Sequence, residues 1–187
     1  MLCVDCKLLS KAVTNHLSSA MAYVVGLDQT CGVVGRRLTW NLHLHRDVQA
    51  YLEERHLPAI IVNLDQEKAF DMVNHEFLFR IMEKFGFGNN FMKWVKILYS
   101  NVGSRVNING NIGNVIKQLR GVRQGDPLSA LLYVLYIEPF ACAIRTNYNI
   151  KRHHFTWRGY AKNIAICGRH SFIFTRRPEL ERVYQSH

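Results

Sequence analysis

The sequence predicts an α+β fold, with helices interrupted by short strands that pair antiparallel into a sheet covered by helices on one face. Three observations carry that expectation. Ala59-Ile60-Ile61-Val62-Asn63-Leu64-Asp65 is a nearly unbroken aliphatic run of strand length that ends in an acid. Ser104 to Ile112 alternates polar with apolar residues around Asn109-Gly110, a pair that tolerates the positive φ of a tight hairpin turn. Stretches with apolar residues at helical spacing lie on either side of both.

Leu8, Leu9, Ala12, Val13, Leu17 and Met21 recur every three or four residues, which predicts an amphipathic helix from about Lys7 to Val24, ended by Gly26 and Asp28. A basic, glycine-punctuated loop, Cys31 to Arg37, leads to a second helix over roughly Thr39 to His56 with Leu42, Val48 and Leu52 facing inward. Pro58 stops it and starts the Asp65 strand. Helices are expected at about 75–85 and 90–100, separated by Gly86-Phe87-Gly88-Asn89-Asn90. After the hairpin, Gln118 to Asp126 forms a loop, and Pro127 is placed to open a long helix. Strands near 153–160 and 164–167 are expected to flank Ala161-Lys162-Asn163 as a tight turn.

At 187 residues with 48% hydrophobic residues, the chain has enough apolar material for a real core and reads as one compact unit with two lobes. Lys and Arg number 24 against 14 Asp and Glu, a formal charge of +10. Such a balance suits a polyanionic partner and equally a basic soluble surface. The excess is uneven: from Arg145 onward nine Lys/Arg face only Glu179 and Glu181. Phe155, Trp157, Tyr160, Phe172 and Phe174 interleave with these charges, as rings that stack on bases do and as strand residues packing on a core do.

Five cysteines, an odd and scattered set, exclude a disulfide framework and suit a reducing, intracellular setting, nuclear or cytoplasmic. Cys3 and Cys6 have metal-ligand spacing, but no second pair follows to complete a zinc site. The N-terminus lacks a signal-peptide layout. The apolar run from Leu128 to Ile144 is broken by Glu138 and Pro139, which points to a core helix and to no membrane partner.

An Asp at the end of a buried strand stands at a sheet rim, where metal-assisted phosphoryl chemistry needs a carboxylate; capping the next helix is the plainer role for the same residue. Two further segments favour the first. Leu64-Asp65-Gln66-Glu67-Lys68-Ala69-Phe70-Asp71 resembles the first catalytic motif of a reverse transcriptase of the LINE-type (non-LTR) retrotransposon kind. Arg123-Gln124-Gly125-Asp126-Pro127-Leu128-Ser129 resembles the second. The third motif, Tyr-Ala-Asp-Asp in that family, reads Tyr160-Ala161-Lys162-Asn163 here, so both carboxylates are replaced.

The resemblance covers nearly the whole chain and implies a polymerase palm-and-fingers layout, with residues 1–58 fingers-like, 59–175 palm-like and 176–187 a C-terminal remnant. With 24 residues after Asn163, no thumb is expected within it. The implied partners are an RNA template, a DNA primer and deoxynucleoside triphosphates; the implied cofactor is Mg²⁺. Asp65 would be the remaining metal ligand, aided by the Gln66 carbonyl, with Lys162 and Asn163 at the positions of the lost carboxylates. Phe70 matches the aromatic against the incoming sugar, or simply packs in the core. Gln124 and Gly125 match the loop under the nascent base pair. Arg36 and Arg37 match a fingers loop that meets phosphate, or are solvated surface arginines.

Two divalent ions about 4 Å apart clamp the attacking and leaving oxygens in such a transfer, and Mg²⁺ requires oxygen ligands. A protonated lysine supplies none. The sequence therefore leads to a reverse-transcriptase-family (RNA-directed DNA polymerase) domain with impaired catalysis. A non-enzymatic RNA- or DNA-binding module using the basic C-terminal third is the alternative.

Overall fold

The computed structural model describes residues 4–56, 59–100, 102–147, 155–157, 160–162 and 170–175, with 59–63 and everything after 147 as backbone alone. The fold is α+β. Five helices, α1 (Val4–Val24), α2 (Leu38–Glu54), α3 (His75–Lys84), α4 (Asn89–Tyr99) and α5 (Pro127–Thr146), alternate with strands β1 (Ala59–Leu64), β2 (Gly103–Ser104), β3 (Asn107–Ile108), β4 (Asn111–Ile112), β5 (Ile116–Lys117), β6 (Phe155–Trp157), β7 (Tyr160–Lys162) and β8 (His170–Thr175).

The chain divides into two compact units, each assembled from two stretches: Met1–Val24 with Glu67–Pro139, and Val25–Gln66 with Phe140–His187. One boundary falls inside α5 at Pro139, where a proline removes a helical hydrogen bond and crowds the preceding turn.

In the first unit, α1 buries Ser10, Val13, Thr14, Leu17 and Met21, the spacing of a single helical face. It packs on α4, which in turn packs on α3. Asn74 caps α3 by accepting the Phe77 N–H at 2.9 Å, and Gly86 at φ 82° follows its end. Leu128, Leu132 and Leu135 of α5 are completely buried. That helix is long and apolar enough by composition to cross a membrane, yet its burial is that of a core helix. The predicted hairpin turns at Asn109 and Gly110, with φ of 49° and 86°. Its two-residue ladders leave Ile108 and Ile112 exposed.

A backbone clasp joins two distant parts of this unit. Gly121 N–H donates to the Val73 carbonyl at 2.7 Å and Val122 N–H to the Phe70 carbonyl at 2.8 Å. Asn74 and Arg120 form an antiparallel bridge, and His75 Nε2 lies 2.7 Å from the Gly121 carbonyl oxygen. Gly121 adopts φ 94°, and a Cβ there would stand 3.1 Å from the Asp71 carbonyl oxygen and 3.2 Å from its Cα. Only glycine satisfies both the dihedral and the approach.

In the second unit, the loop after α1 is held by polar groups. Arg36 donates to the carbonyls of Gly26 (2.5 Å), Gln29 (2.7 Å) and Val25 (3.5 Å). Asn41 donates to the Asp28 carbonyl and to Thr30 Oγ1. The expectation that Leu42 points inward is corrected: Leu42 is 58% exposed, and its neighbour Asn41 is buried instead. The helix turns Asn41 toward the Asp28 carbonyl and the Thr30 hydroxyl, which its amide satisfies and a leucine would not. Arg145 pairs with the buried Asp28 carboxylate at 2.8 and 2.9 Å.

The single sheet expected from the sequence is replaced, among the described residues, by four separate two-stranded antiparallel pairs: β1–β8, β2–β5, β3–β4 and β6–β7. β1 pairs with β8 from Ala59↔Thr175 to Leu64↔His170; the strand expected at 164–167 lies outside the described residues. The β6–β7 pair sets Trp157 opposite Tyr160 and Phe155 opposite Lys162. The reversal therefore precedes Tyr160, and Ala161 and Lys162 continue a strand where a turn at 161–163 was expected. Aromatic residues favour the paired positions of a strand.

Gly121→Ala is expected to destabilise the protein by more than about 1 kcal/mol in urea unfolding, and by more than Gly35→Ala. Gly35 shares a positive φ of 79° but has open space around it. Equal effects would show that the dihedral alone matters. Asp28 gives a pH signature. Burial raises its carboxyl above the ordinary 3.8, outweighing the pull of Arg145. Its contribution to stability is fully present below that value and is lost as pH rises through the raised one. The stability advantage of the unaltered chain over Asp28→Asn should therefore shrink as pH rises above about 4; an advantage that grows would contradict the burial argument.

Candidate functional site

Asp65 follows the last residue of β1 and is exposed, the strand-rim position its sequence predicts. Helix capping does not account for it: the next helix begins at His75 and is capped by Asn74. The intervening segment is a tight turn in which Lys68, at φ 48°, offers its carbonyl to the N–H groups of Asp71 and Met72. Glu67 makes a 3.6 Å ion pair with Lys68, both largely exposed.

The resemblance-derived residues divide between the two units. Asp65, Arg36, Arg37 and Lys162 belong to the second, and Phe70, Gln124 and Gly125 to the first. Arg36 is committed to the carbonyls of its own loop, whereas Arg37 is exposed at the start of α2. Lys162 is placed by its backbone in β7. Asn163, the paired His153 and His154, Cys3 and most of the basic C-terminal third lie outside the described residues.

The first unit brings its members together through the clasp. Phe70 is half-buried and meets the Tyr133 ring of α5 edge-on, with centroids 5.4 Å apart at 84°. The neighbouring loop runs from Arg120 to Asp126, with Gln124 and Gly125 exposed and Gly125 at φ 82°. Asp126 anchors the end of that loop. Its carboxylate accepts the Leu128 N–H at 3.2 Å, in the first turn of α5, and also accepts the Ser10 hydroxyl of α1. A carboxylate at a helix N-terminus is stabilised both by the open N–H groups and by the helix dipole.

Behind this loop, Arg123 lies over the Tyr99 ring at 5.6 Å, and the Tyr99 hydroxyl is 3.3 Å from Ser129 Oγ. Burial pushes the Tyr99 phenol above its usual range, so it stays protonated at neutral pH and acts as a hydrogen-bonding group.

The loop forms one wall of a cleft of about 990 Å³, whose lining includes Lys7, Lys117, Arg120 and Arg123, with Asp71 the acid among them. Sequence reasoning placed the cationic surface in the C-terminal third and missed this grouping. Lys7 and Arg120 are 113 positions apart, and the Lys117–Arg123 cluster is too sparse to read as a charge run. The legible signal was the basic, glycine-punctuated segment itself.

Metal binding at Asp65 would require further oxygen donors. Among the described residues no three His, Cys, Asp or Glu side chains are grouped to hold a metal ion. Lys162 and Asn163, where the sequence resembles the family's third motif, carry an ammonium and an amide, and with Asp65 as the one carboxylate this donor set does not fit a pair of hard cations.

Residues 1–169 match the family model described as "Reverse transcriptase (RNA-dependent DNA polymerase)". Over 145 residues, 78% of its length, the chain is 39% identical to the "Transposon TX1 uncharacterized 149 kDa protein" of Xenopus laevis. Over 78 residues, 42% of its length, it is 35% identical to the "Retrovirus-related Pol polyprotein from type-2 retrotransposable element R2DM" of Drosophila melanogaster. It spans 11% and 7% of those two proteins. A strand ending in Asp65, a clasped loop carrying Arg123-Gln124-Gly125 and a family match over nine-tenths of the chain lead to one conclusion: the chain belongs to the reverse transcriptase family, in the group carried by non-LTR retrotransposons.

Proposed function

We propose that this chain is a palm-and-fingers portion of an RNA-directed DNA polymerase in which nucleotidyl transfer is impaired. The observation that carries the reading is Tyr160-Ala161-Lys162-Asn163, inside the matched region, where the family has Tyr-Ala-Asp-Asp. The family's reaction uses divalent ions, and the residues here favour weak binding or none. Asp65 brings one carboxylate, and Lys162 brings a positive charge to a position that elsewhere supplies a negative one. Losing metal assistance forfeits several kcal/mol of transition-state stabilisation, and each ~1.4 kcal/mol is about tenfold in rate.

Other parts of the substrate site support retention of a scaffold for template, primer and triphosphate. Phe70 stands beside the loop that carries Gln124 and Gly125, as an aromatic at the incoming sugar and a close-approach loop under the base pair require. Arg37 is the exposed member of the basic pair and the one positioned for a phosphate. Arg36 shapes the loop that presents it. The family's nucleic-acid partners also fit the formal charge of +10.

Extension of a primed RNA template in Mg²⁺ should be slower by roughly three or more orders of magnitude for this chain than for its Lys162→Asp, Asn163→Asp double variant. Calorimetry with Mn²⁺ should show binding strengthened in the double variant and lost again when Asp65→Asn is added. Extension by the unaltered chain at rates comparable to the double variant would overturn the proposal. So would equal Mn²⁺ binding by the two.

A further inference from the structure

The ribbon that follows α4 stands clear of the first unit's core. Residues 103–120 are exposed without interruption, and Val106, Ile108, Ile112, Val115 and Ile116 are each half or more accessible to solvent. Its ladders, β2–β5 and β3–β4, are two residues long, and among the described residues no third strand joins either of them. A two-stranded ribbon of this length has little stability of its own, and aliphatic side chains exposed in such number mark an interaction surface.

The hydrogen-bond register fixes what the edges present. Gly113 N–H donates to the Val106 carbonyl at 2.9 Å, and antiparallel ladders alternate bonded with non-bonded pairs. Asn107 and Ile112, the next pair toward the turn, therefore aim their N–H and C=O groups outward, one residue on each edge. The β4 edge is blunted. Three residues separate β4 from β5 where two separate β2 from β3, so the return strand carries an extra residue, which bends a strand and spoils its edge for pairing. The β3 edge is the regular one, entered through Arg105 and Val106. Side chains alternate along a strand, so Arg105 and Asn107 share one face, and Val106 and Ile108 share the other.

That edge sets the chemistry of its occupant. From Val102 to Arg120 the charged residues are Arg105, Lys117 and Arg120, and there is no acid. The stretch has no aromatic ring either, so it gives bases nothing to stack on. A lipid surface is disfavoured, because the open ribbon would carry unpaired N–H and C=O groups into hydrocarbon. A second copy would bring two acid-free, cationic ribbons together with no carboxylate to meet either Arg105. An acidic strand satisfies every group at once: its backbone takes up the outward bonds, its carboxylates face Arg105, and its apolar side chains cover Val106 and Ile108. We infer that the β3 edge docks, as a third strand, an extended segment of a partner protein in which acidic and aliphatic residues alternate.

Fluorescence anisotropy of the full chain with two labelled heptapeptides, one alternating Glu with Val and the other Lys with Val, tests this. The Glu peptide should bind, and the Lys peptide should bind at least about tenfold more weakly. Asn107→Pro removes an outward N–H that the hairpin ladder does not use, so urea unfolding should be unchanged while affinity for the Glu peptide falls about tenfold or more. The same variant keeps the formal charge of +10, which separates strand pairing from general attraction to a basic chain. Arg105→Glu should reverse the preference between the two peptides.

Undiminished binding of the Glu peptide by Asn107→Pro, an unchanged preference in Arg105→Glu, or no binding by the unaltered chain would each overturn the inference. Self-association in sedimentation that disappears in Asn107→Pro would make a second copy the occupant. Flotation with phosphatidylserine vesicles that is lost in Ile108→Asn would make it a membrane surface. Either of those results also overturns the assignment to an acidic strand.

Discussion

Between Phe70–His75 and Arg120–Val122 two stretches of backbone lie closer together than an intervening side chain would permit. The missing Cβ of Gly121 makes this possible, and two backbone hydrogen bonds, from Gly121 and Val122, hold it. Much of the first unit follows from that contact. It ties the turn after Asp65's strand to the loop that precedes α5, and it sets the start of α3 through the Asn74–Arg120 bridge and the His75 contact. It also fixes one wall of the cleft. Asp126 completes the arrangement by joining the loop's far end to Ser10 of α1 and to the first turn of α5.

The two units are stabilised by different means. The first has a large aliphatic interior in which Leu17, Met21, Leu78, Met82, Leu128, Leu132 and Leu135 are almost inaccessible. Burial of that kind is non-directional and contributes roughly 1.5–3 kcal/mol per large side chain. The described interior of the second unit is smaller and includes Asp28, Gln29, Thr30 and Asn41. There the order depends on directed bonds from Arg36, Asn41 and Arg145, and a buried ion pair compensates its own desolvation only in part. The raised Asp28 carboxyl reflects that incomplete compensation.

The division has a consequence for the chemistry. Asp65 and Lys162 fall in the second unit, and the residues that line the cleft fall in the first. The clasp, the packing of α1, α3 and α4 and the cationic cleft are all built from residues of the first unit.

By itself the sequence determined the order of the helices, the Asn109-Gly110 hairpin, the strand that leads to Asp65 and the helix that begins at Pro127, because each follows from local periodicity, turn chemistry or proline geometry. The run Tyr160-Ala161-Lys162-Asn163 was equally legible, since it is a matter of residue identity. Tertiary structure decided the rest. Gly121's role depends on the backbone of Asp71, fifty positions earlier; the burial of Asn41 depends on the carbonyl of Asp28; and the cleft gathers Lys7 with Arg120 and Arg123. The placement of Lys162 within a strand depends on its cross-strand partner Phe155. Such features arise from contacts between distant segments, and local patterns carry no record of which distant backbone groups will need a partner.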